Sequence, residues 1–595
     1  MSKHIYWFAL AAAGLFAAAC SDNDALDSSS AVSDGSSTFM AVNIYMTSDA
    51  ATRSSSTVSG GGFSTGSSTE YAIDLNSSIF LFYDSNGDFL TSTTEVTSNG
   101  GSETSGTDVA TDYVEYTYSA MLVLGPTTLT PTYVVGIFND AKAQTAYDGL
   151  SLDKLKEALF DSDNELEATD DNAGILMSNA VKYTTSDGFS FATEISEDNI
   201  CSTSDAALAS PVEMYIERAK AKVEIGITED NFTSNEDGTY TYTIMKTGDN
   251  SETDSTFTYY YVDKESGEII PVTGATVDIT INGWAVNALN KTGYVIKNYS
   301  NDDGTELSSD ITSSSKGGAW SSDWYSSLRI FWAVDGNYEA SEDEDWALQY
   351  ATWATVKEAG CSTDGAYYYE QTLDPNATTG YIAGKTAYAP TLLVAATVGV
   401  SATNATEADD SSDDADDIFL WYGSVLYSKQ AVYARILSTL SSIEEVSLEE
   451  GETISSIEWE TDDASKGSVY IKSITMSNNT DVSTFIDQVN SSSLINYSEE
   501  TSSSSTLRRY NGGACYYQVP IQTYISTSST TDHPYGLVRN TAYSITINSV
   551  TGIGGGVNDP NEDELTEIPG EDTNYFVGAK INILAWRLSS QSVDL

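Results

Sequence analysis

Histidine is nearly absent from this chain. Its 595 residues contain two, His4 and His533, and no His-Glu-x-x-His. One histidine outside the leader described below cannot build a multi-histidine zinc centre, and the sequence calls for no metal or cofactor. Basic side chains are scarce too: 26 Lys and Arg stand against 87 Asp and Glu, a formal net charge of −61. Such a chain repels phosphate backbones and anionic lipid, which excludes nucleic acid and electrostatic membrane adsorption as partners. Beyond Cys20 the cysteines are Cys201, Cys361 and Cys515, an odd number spread widely. That is no disulfide scaffold; Cys361 and Cys515 are left open as a pair or as free buried thiols. What is abundant is apolar: 40% hydrophobic and 11% aromatic residues, enough for two to four packed domains.

The N-terminus is a leader. Lys3 and His4 precede an apolar run from Ile5 to Phe16, then Ala17-Ala18-Ala19-Cys20. A positive start, about a dozen apolar residues and small residues before a cut describe a secretory signal. The terminal cysteine makes it a lipoprotein signal spanning residues 1–20, in which Cys20 carries lipid; Ala17 replaces the usual leucine. The alternative, a buried apolar helix with an ordinary thiol, fits poorly, because the run is too short to span a bilayer and too N-terminal to be core. Ser21-Asp22-Asn23-Asp24 follows and resembles the acidic export tag of Bacteroidetes surface lipoproteins. No later run is apolar enough to cross a bilayer, so lipid on Cys20 is the expected membrane attachment and the outer membrane the expected site of the precursor.

The rest reads as all-β with a few short helices. Residues 21–37 form a Ser/Asp-rich tether, Phe39 to Met46 a strand, and Ser48 to Thr69 a Ser/Thr/Gly linker. Ile79 to Tyr83 and Phe89-Leu90 flank Asn86-Gly87, a hairpin signal. Tyr113 to Leu124 and Thr132 to Phe138 are further strands, and Ser151 can cap a short helix. Pro211 to Ile225 opens a second block whose period-2 stretches suit a half-buried antiparallel strand, with further strands near 275–285, 391–400, 468–476, 514–525 and 542–550. Helical spacing appears in Trp346, Tyr350, Trp353 and Lys357, and in Leu426, Tyr433, Leu437 and Leu440. Many short strands between polar loops predict two β-sandwiches in tandem, over 54–208 and 209–557, with acidic loop insertions such as Asp409 to Asp417.

Enzyme-like motifs are weak. Ser151-x-x-Lys154, Ser162-Asp163-Asn164, Lys246-Thr247-Gly248 and Lys291-Thr292-Gly293 imitate the triplets of serine penicillin-binding enzymes. Only Leu155 to Asp161 separates the first two, where such enzymes place most of a helical subdomain, so no catalytic residue is expected. Asp84-Ser85-Asn86-Gly87-Asp88 has the flavour of a calcium loop but lacks the EF-hand glutamate.

The informative feature is a pair of ends. Arg53 is the one basic residue between Cys20 and Lys142, and it lies in a small-residue segment where proteolysis concentrates. A trypsin-like protease cutting between Arg53 and Ser54 would detach the first strand, making 21–53 a propeptide. At the other end an acidic tether, 558–574, leads to 575–595. There Val577, Ala579, Ile581 and Ile583 share one strand face, and the apolar pattern then switches to Leu584, Trp586 and Leu588. A detachable first strand and a tethered last strand suit exchange between subunits. The plainer alternatives are a solvated arginine and a strand that completes its own sandwich. A monomeric, lipid-anchored glycan-binding adhesin using exposed aromatics is the competing function.

Six stretches in order carry a family resemblance: Pro211 to Glu224, Ile281-Asn282-Gly283-Trp284-Ala285-Val286-Asn287, Arg329 to Ala333, Tyr510 to Tyr517, Tyr535 to Tyr543, and Ala579 to Leu595. With them the chain resembles the type V fimbrial major subunits of Bacteroidetes, of the minor (short) fimbria pilin family. Thr541 stands where members often carry histidine, and the acidic loops are longer. The resemblance implies two transthyretin-like sandwiches, lipoprotein export, cleavage after Arg53, and polymerisation in which the 575–588 strand of one subunit fills the groove vacated in another. It also implies a surface fimbrium supporting adhesion, with other copies and accessory anchor and tip pilins as partners.

Charge supplies a test. Cleavage after Arg53 removes two basic and five acidic residues, leaving 24 − 82 = −58. Like-charged subunits repel, so assembly followed by light scattering should quicken as salt screens over roughly 8–10 Å. Assembly that slows steadily with added salt contradicts it.

Overall fold

The computed structural model describes residues 38–592 except 48–71, 95, 106–113, 125–129, 170–172, 185–187, 245–257, 274, 300–332, 334, 336–347, 373–388, 402–416, 422–424, 463–466, 522–534, 551, 566–576 and 585–588. Strands dominate, and they form two sandwiches in tandem with short helices on their faces.

The N-terminal sheet begins from the predicted hairpin. Ile79–Tyr83 pairs with Phe89–Thr93, and Gly87 supplies the left-handed conformation at φ +84°. The Asp84 carboxylate accepts the Asn86 and Asp88 backbone N–H groups at 2.8 and 3.0 Å, so it braces the turn. Neighbouring strands then run 89–93, 79–83, 133–138, 177–179, 212–218, 39–47, 114–123 and 96–105. The sheet curls around one core built from Met40, Val42, Ile44, Phe80, Phe82, Val134, Phe138, Met214 and Ile216. Its opposite face carries Ile79, Leu81, Tyr83, Val135 and Ile137 against Leu155, Phe160, Val295 and Ile296. This is why Ile79 to Tyr83 is apolar at every position: both faces are buried.

The chain changes domain later than the sequence indicates. Pro211 to Ile225 is two strands. Val212–Arg218 belongs to the first sheet and Lys220–Ile227 to the C-terminal sandwich, where it runs parallel to Ala542–Val550. The boundary expected between 208 and 209 therefore lies at Ala219, which is fully buried and donates its N–H to Leu176 O at 2.9 Å. The apolar positions change phase there, from Val212, Met214 and Ile216 to Ala219, Ala221, Val223 and Ile225, a slip in the period of two that accompanies the switch of sheets.

In the C-terminal sandwich one sheet contains 366–369, 220–227, 542–550, 577–584 and 589–592. The facing sheet contains 233–234, 240–243, 276–287, 391–401, 514–520 and 555–556. Val223 and Ile225 meet Ile279, Ile281, Val394, Val398 and Tyr517 between them. A third sheet of 269–273, 258–262, 425–428, 418–421 and 507–510 adds Tyr259, Tyr261 and Leu420 to that core. Its other face is covered by the Lys429–Ser441 helix and the Ile454–Thr461 and Val469–Met476 hairpin.

Three expectations shift. The helix at Lys429–Ser441 is capped by Ser428, whose hydroxyl accepts from Ala431 N at 3.3 Å, so Leu426 is a strand residue. The helix Trp353–Ala359 is capped by Thr352, which leaves Tyr350 outside it; Trp346 lies outside the described residues. The tether is shorter than 558–574, because its first part is fastened. Leu565 is buried, and its carbonyl accepts from Asn287 Nδ2 at 2.7 Å and Gln518 Nε2 at 2.8 Å. Ala354 N donates to Pro560 O, and Asn558 Oδ1 accepts from Arg509 Nη1.

A buried ionic junction joins the domains. Glu217 of the first sheet meets Lys297 at 3.0 Å, and Glu370 meets Arg539 at 2.9 Å, with all four side chains nearly solvent-free. Arg539 Nη1 and Nη2 also donate to the carbonyls of Val295 and Tyr294, whose segment packs on the first domain. Removing one partner strands the other charge in low dielectric. Arg539→Met should therefore cost roughly 3–5 kcal/mol in urea unfolding; a loss below about 1 kcal/mol refutes a solvent-free pair.

Candidate functional site: the two terminal strands

Phe39–Thr47 is an interior strand. It runs parallel to 212–218, with Val42 beside Val212 and Ile44 beside Met214, and antiparallel to 114–123, with Met40 beside Leu122 and Val42 beside Ala120. Both of its edges are hydrogen-bonded. Met40, Val42 and Ile44 are at most 1% exposed in the curled core, while Ala41, at 2%, packs under Ala207 of the Ser204–Ala209 helix. Phe39 exchanges backbone hydrogen bonds with Cys201 at 2.7 and 2.9 Å, and Asn43 Oδ1 accepts from Ser119 Oγ at 2.9 Å. Burying three large side chains holds the strand by on the order of 5–9 kcal/mol, an upper estimate. A cut in the loop beyond it cannot by itself empty the slot.

Val577–Leu584 pairs antiparallel with Ala542–Val550 and on its other side with Ser589–Ser592. The register sets Ala579 opposite Ile547, Ile581 opposite Ile545, Ile583 opposite Tyr543, Leu584 opposite Ala542 and Val577 opposite Val550, with one irregularity between Ile547 and Ser549. Tyr543, Ile545 and Ile547 are all fully buried. The strand thus lies in its own sheet, as the intramolecular alternative describes. Cys20, Arg53, Ser54, Trp586 and Leu588 lie outside the described residues.

The sequence did not reveal that the first strand has a parallel neighbour, or that a helix covers its small face. The alternation of Val212, Met214 and Ile216 was visible, but nothing in it names a partner strand. A groove of about 780 Å³ borders this region, and Glu213 and Tyr215 of the parallel neighbour line it.

Among the described residues the enzyme-like triplets do not assemble. The Ser151 hydroxyl accepts from Lys154 N as a helix cap, and Lys154 Nζ reaches Glu157 at 2.6 Å. Asn164 is buried on the Asp140 carboxylate, and Gly293 lies in a strand against Phe160. Lys246, Thr247 and Gly248 lie outside the described residues. Cys201, Cys361 and Cys515 are free thiols, so Cys361 and Cys515 do not pair. Burial pushes the Cys361 and Cys515 thiols up to about 12, which keeps both protonated and unreactive. Among the described residues no cluster of His, Cys, Asp or Glu could hold a metal ion, and no helix is long and apolar enough to cross a membrane.

No curated protein matches the chain. Among solved structures, a Parabacteroides distasonis protein assigned to cell adhesion is 10% identical, with 92% of this chain and 100% of that one covered at a TM-score of 0.30. A fimbrilin from Porphyromonas gingivalis is 11% identical, covering 92% and 99% at a TM-score of 0.28. A tip fimbrial protein of the same organism, truncated at its C-terminus, is 11% identical, covering 92% and 100% at 0.26. Overlays this loose support no inference. The family match does: residues 508–592 fit the C-terminal region of major fimbrial subunit protein type IV, fimbrillin. That stretch takes in the 514–520 and 542–550 strands and the last strand itself, so this C-terminal part of the chain is similar to the C-terminal region of fimbrillins.

Proposed function

We propose that this chain is a fimbrial stalk subunit, exported as a lipoprotein through Cys20, cleaved between Arg53 and Ser54, and polymerised by strand exchange on the cell surface. The observation that carries the reading is the position of Phe39–Thr47, an interior strand that lies between the leader expected over residues 1–20 and Arg53, the one basic residue between Cys20 and Lys142. Its loss would leave two unpaired sheet edges and an uncovered apolar core, a slot that only another strand satisfies.

The last strand matches the vacated one in pattern. Met40-Ala41-Val42-Asn43-Ile44 and Val577-Gly578-Ala579-Lys580-Ile581 both alternate apolar with small or polar residues. Read in the same direction, Gly578 falls where Ala41 sits beneath Ala207, a position with no room for a larger side chain. The donor would then run parallel to 212–218 and antiparallel to 114–123, as the first strand does. Residues 566–576 remain as tether, eleven residues that reach at most roughly 36–40 Å. Since insertion replaces a held strand, polymerisation needs the cut but is not completed by it. An anchor or tip pilin could end such a fibre, and a trypsin-like protease would start it.

Deleting residues 575–595 should give a soluble, folded, Arg53-cleaved monomer that forms no fibres by electron microscopy and no ladder on unboiled SDS gels. Normal fibres from the deletion would mean that the strand only completes its own sheet; an unfolded product would favour the same conclusion. Gly578→Leu should leave the monomer's melting temperature unchanged and block fibres, and fibres at wild-type yield would refute the matched register. Cys20→Ala should abolish lipid labelling and lose the protein from the outer membrane, and unchanged labelling would overturn lipidation.

A further inference from the structure

A second site lies in the C-terminal domain and involves neither terminal strand. On the outer face of the third sheet, beside the Lys429–Ser441 helix, is a pocket of about 370 Å³ lined by Tyr260, Ile269, Trp421, Val425, Tyr427 and Arg435. Its geometry follows from strand register: Tyr260 sits beside Tyr427 and Trp421 beside Val425, so three aromatic rings share one face. The Tyr260 and Tyr427 rings stack at 5.1 Å, and Trp421 meets Tyr427 edge-on at 6.4 Å. Arg435 closes the pocket from the helix. Its guanidinium carbon lies 5.2 Å from the Tyr427 ring and 5.7 Å from the Trp421 ring, and Nη1 donates to the Tyr427 hydroxyl.

The charge of that arginine is anomalous here. In a chain of net charge −61, carboxylates are the ready partners of sheltered cations: Lys297 has Glu217, Arg509 has Asp417 and Arg539 has Glu370. Among the described residues none pairs with Arg435, and no acidic side chain lines its pocket. The guanidinium keeps a planar pair of donors suited to bidentate binding of one carboxylate, held in place by aromatic stacking. The volume is at the small end of ligand pockets, room for a single substituted ring and not for a run of peptide. The apolar C–H faces of a pyranose suit stacking on Trp421 and Tyr260. A doubly charged phosphate would meet more of the chain's long-range repulsion than a carboxylate does.

We infer that this pocket binds one carboxylate-bearing sugar residue, a sialic or uronic acid, with Arg435 on the carboxylate and Trp421 and Tyr260 against the ring. Residues Trp421, Tyr260 and Arg435 come from two strands and a helix, so the site exists only in the folded domain.

The test is calorimetric titration and saturation-transfer NMR of the purified full chain with the methyl glycosides of N-acetylneuraminic acid and glucuronic acid, with methyl galactoside and acetate as controls. At least one acidic glycoside should bind, and both controls should bind about tenfold more weakly or worse. Arg435→Gln and Trp421→Ala should each weaken binding about tenfold or more, with Arg435→Lys keeping part of it. Ile269→Trp fills the pocket from the strand and leaves Arg435 in place, and it should also abolish binding; it decides the matter if Arg435→Gln fails to fold. Absence of binding by both acidic glycosides overturns the inference. So does equal binding of acetate, which would make this a simple anion site, or of methyl galactoside, which would make the arginine irrelevant. Unchanged binding in Arg435→Gln or Ile269→Trp overturns it as well.

Discussion

The structure turns on one strand held from every side. Phe39–Thr47 is hydrogen-bonded along both edges, and it has a large apolar core beneath it and a helix above. A β-strand in that position cannot leave without exposing two rows of backbone donors and acceptors together with apolar side chains; in the proposed strand exchange that cost would keep a subunit from assembling early. Were the segment after it cut at Arg53 as proposed, control of assembly would be concentrated in one peptide bond. The strand's alternation of large and small side chains would also limit what could replace it, since Ala41 packs against Ala207 and Met121, and Val42 and Ile44 leave voids if unfilled.

A fibre of the kind proposed would transmit load through each subunit, and therefore through the domain junction. Glu217 and Lys297, with Glu370 and Arg539, form two solvent-free ion pairs where the first sheet meets the second domain. Burial lowers the Lys297 pKa and nearby carboxylates oppose that shift, Glu217 first and Glu370 next. Paired charges in low dielectric tolerate little displacement, so the junction favours one relative placement of the sandwiches. Arg539 and Thr541, in a stretch that carries the family resemblance, do their work here and not at the surface. Thr541, the departure from the usual histidine, is buried and donates its hydroxyl to the Arg539 carbonyl at 3.3 Å, so the change is accommodated within the junction.

Excess negative charge elsewhere gives the few cations their meaning. Among the described residues Lys297, Arg509 and Arg539 are each paired with a carboxylate, whereas Arg435 rests on Tyr427 and Trp421, where an external anion could meet it. A polymer repeats each subunit's sites along its length, so weak single-site binding would gain through multivalency if a glycan surface met many copies at once.

The sequence by itself determined the all-β class, the two sandwiches, the Asn86-Gly87 hairpin, the Ser151 cap and most strand positions, because alternation, turn residues and capping residues act over a few neighbouring positions. It also singled out Phe39 to Met46 and the last strand as unusual, from the leader before one and the tether before the other. Strand partners were beyond it. That 212–218 lies parallel to the first strand, that the chain passes between sheets at Ala219, that 558–565 is fastened, and that Leu426 belongs to a strand were decided by tertiary packing. Trp421, Tyr260 and Arg435 are scattered over 176 positions of the chain and become one pocket only through sheet register and helix docking. A period of two records that a residue faces inward; which strand lies beside it depends on long-range contacts that local sequence does not encode.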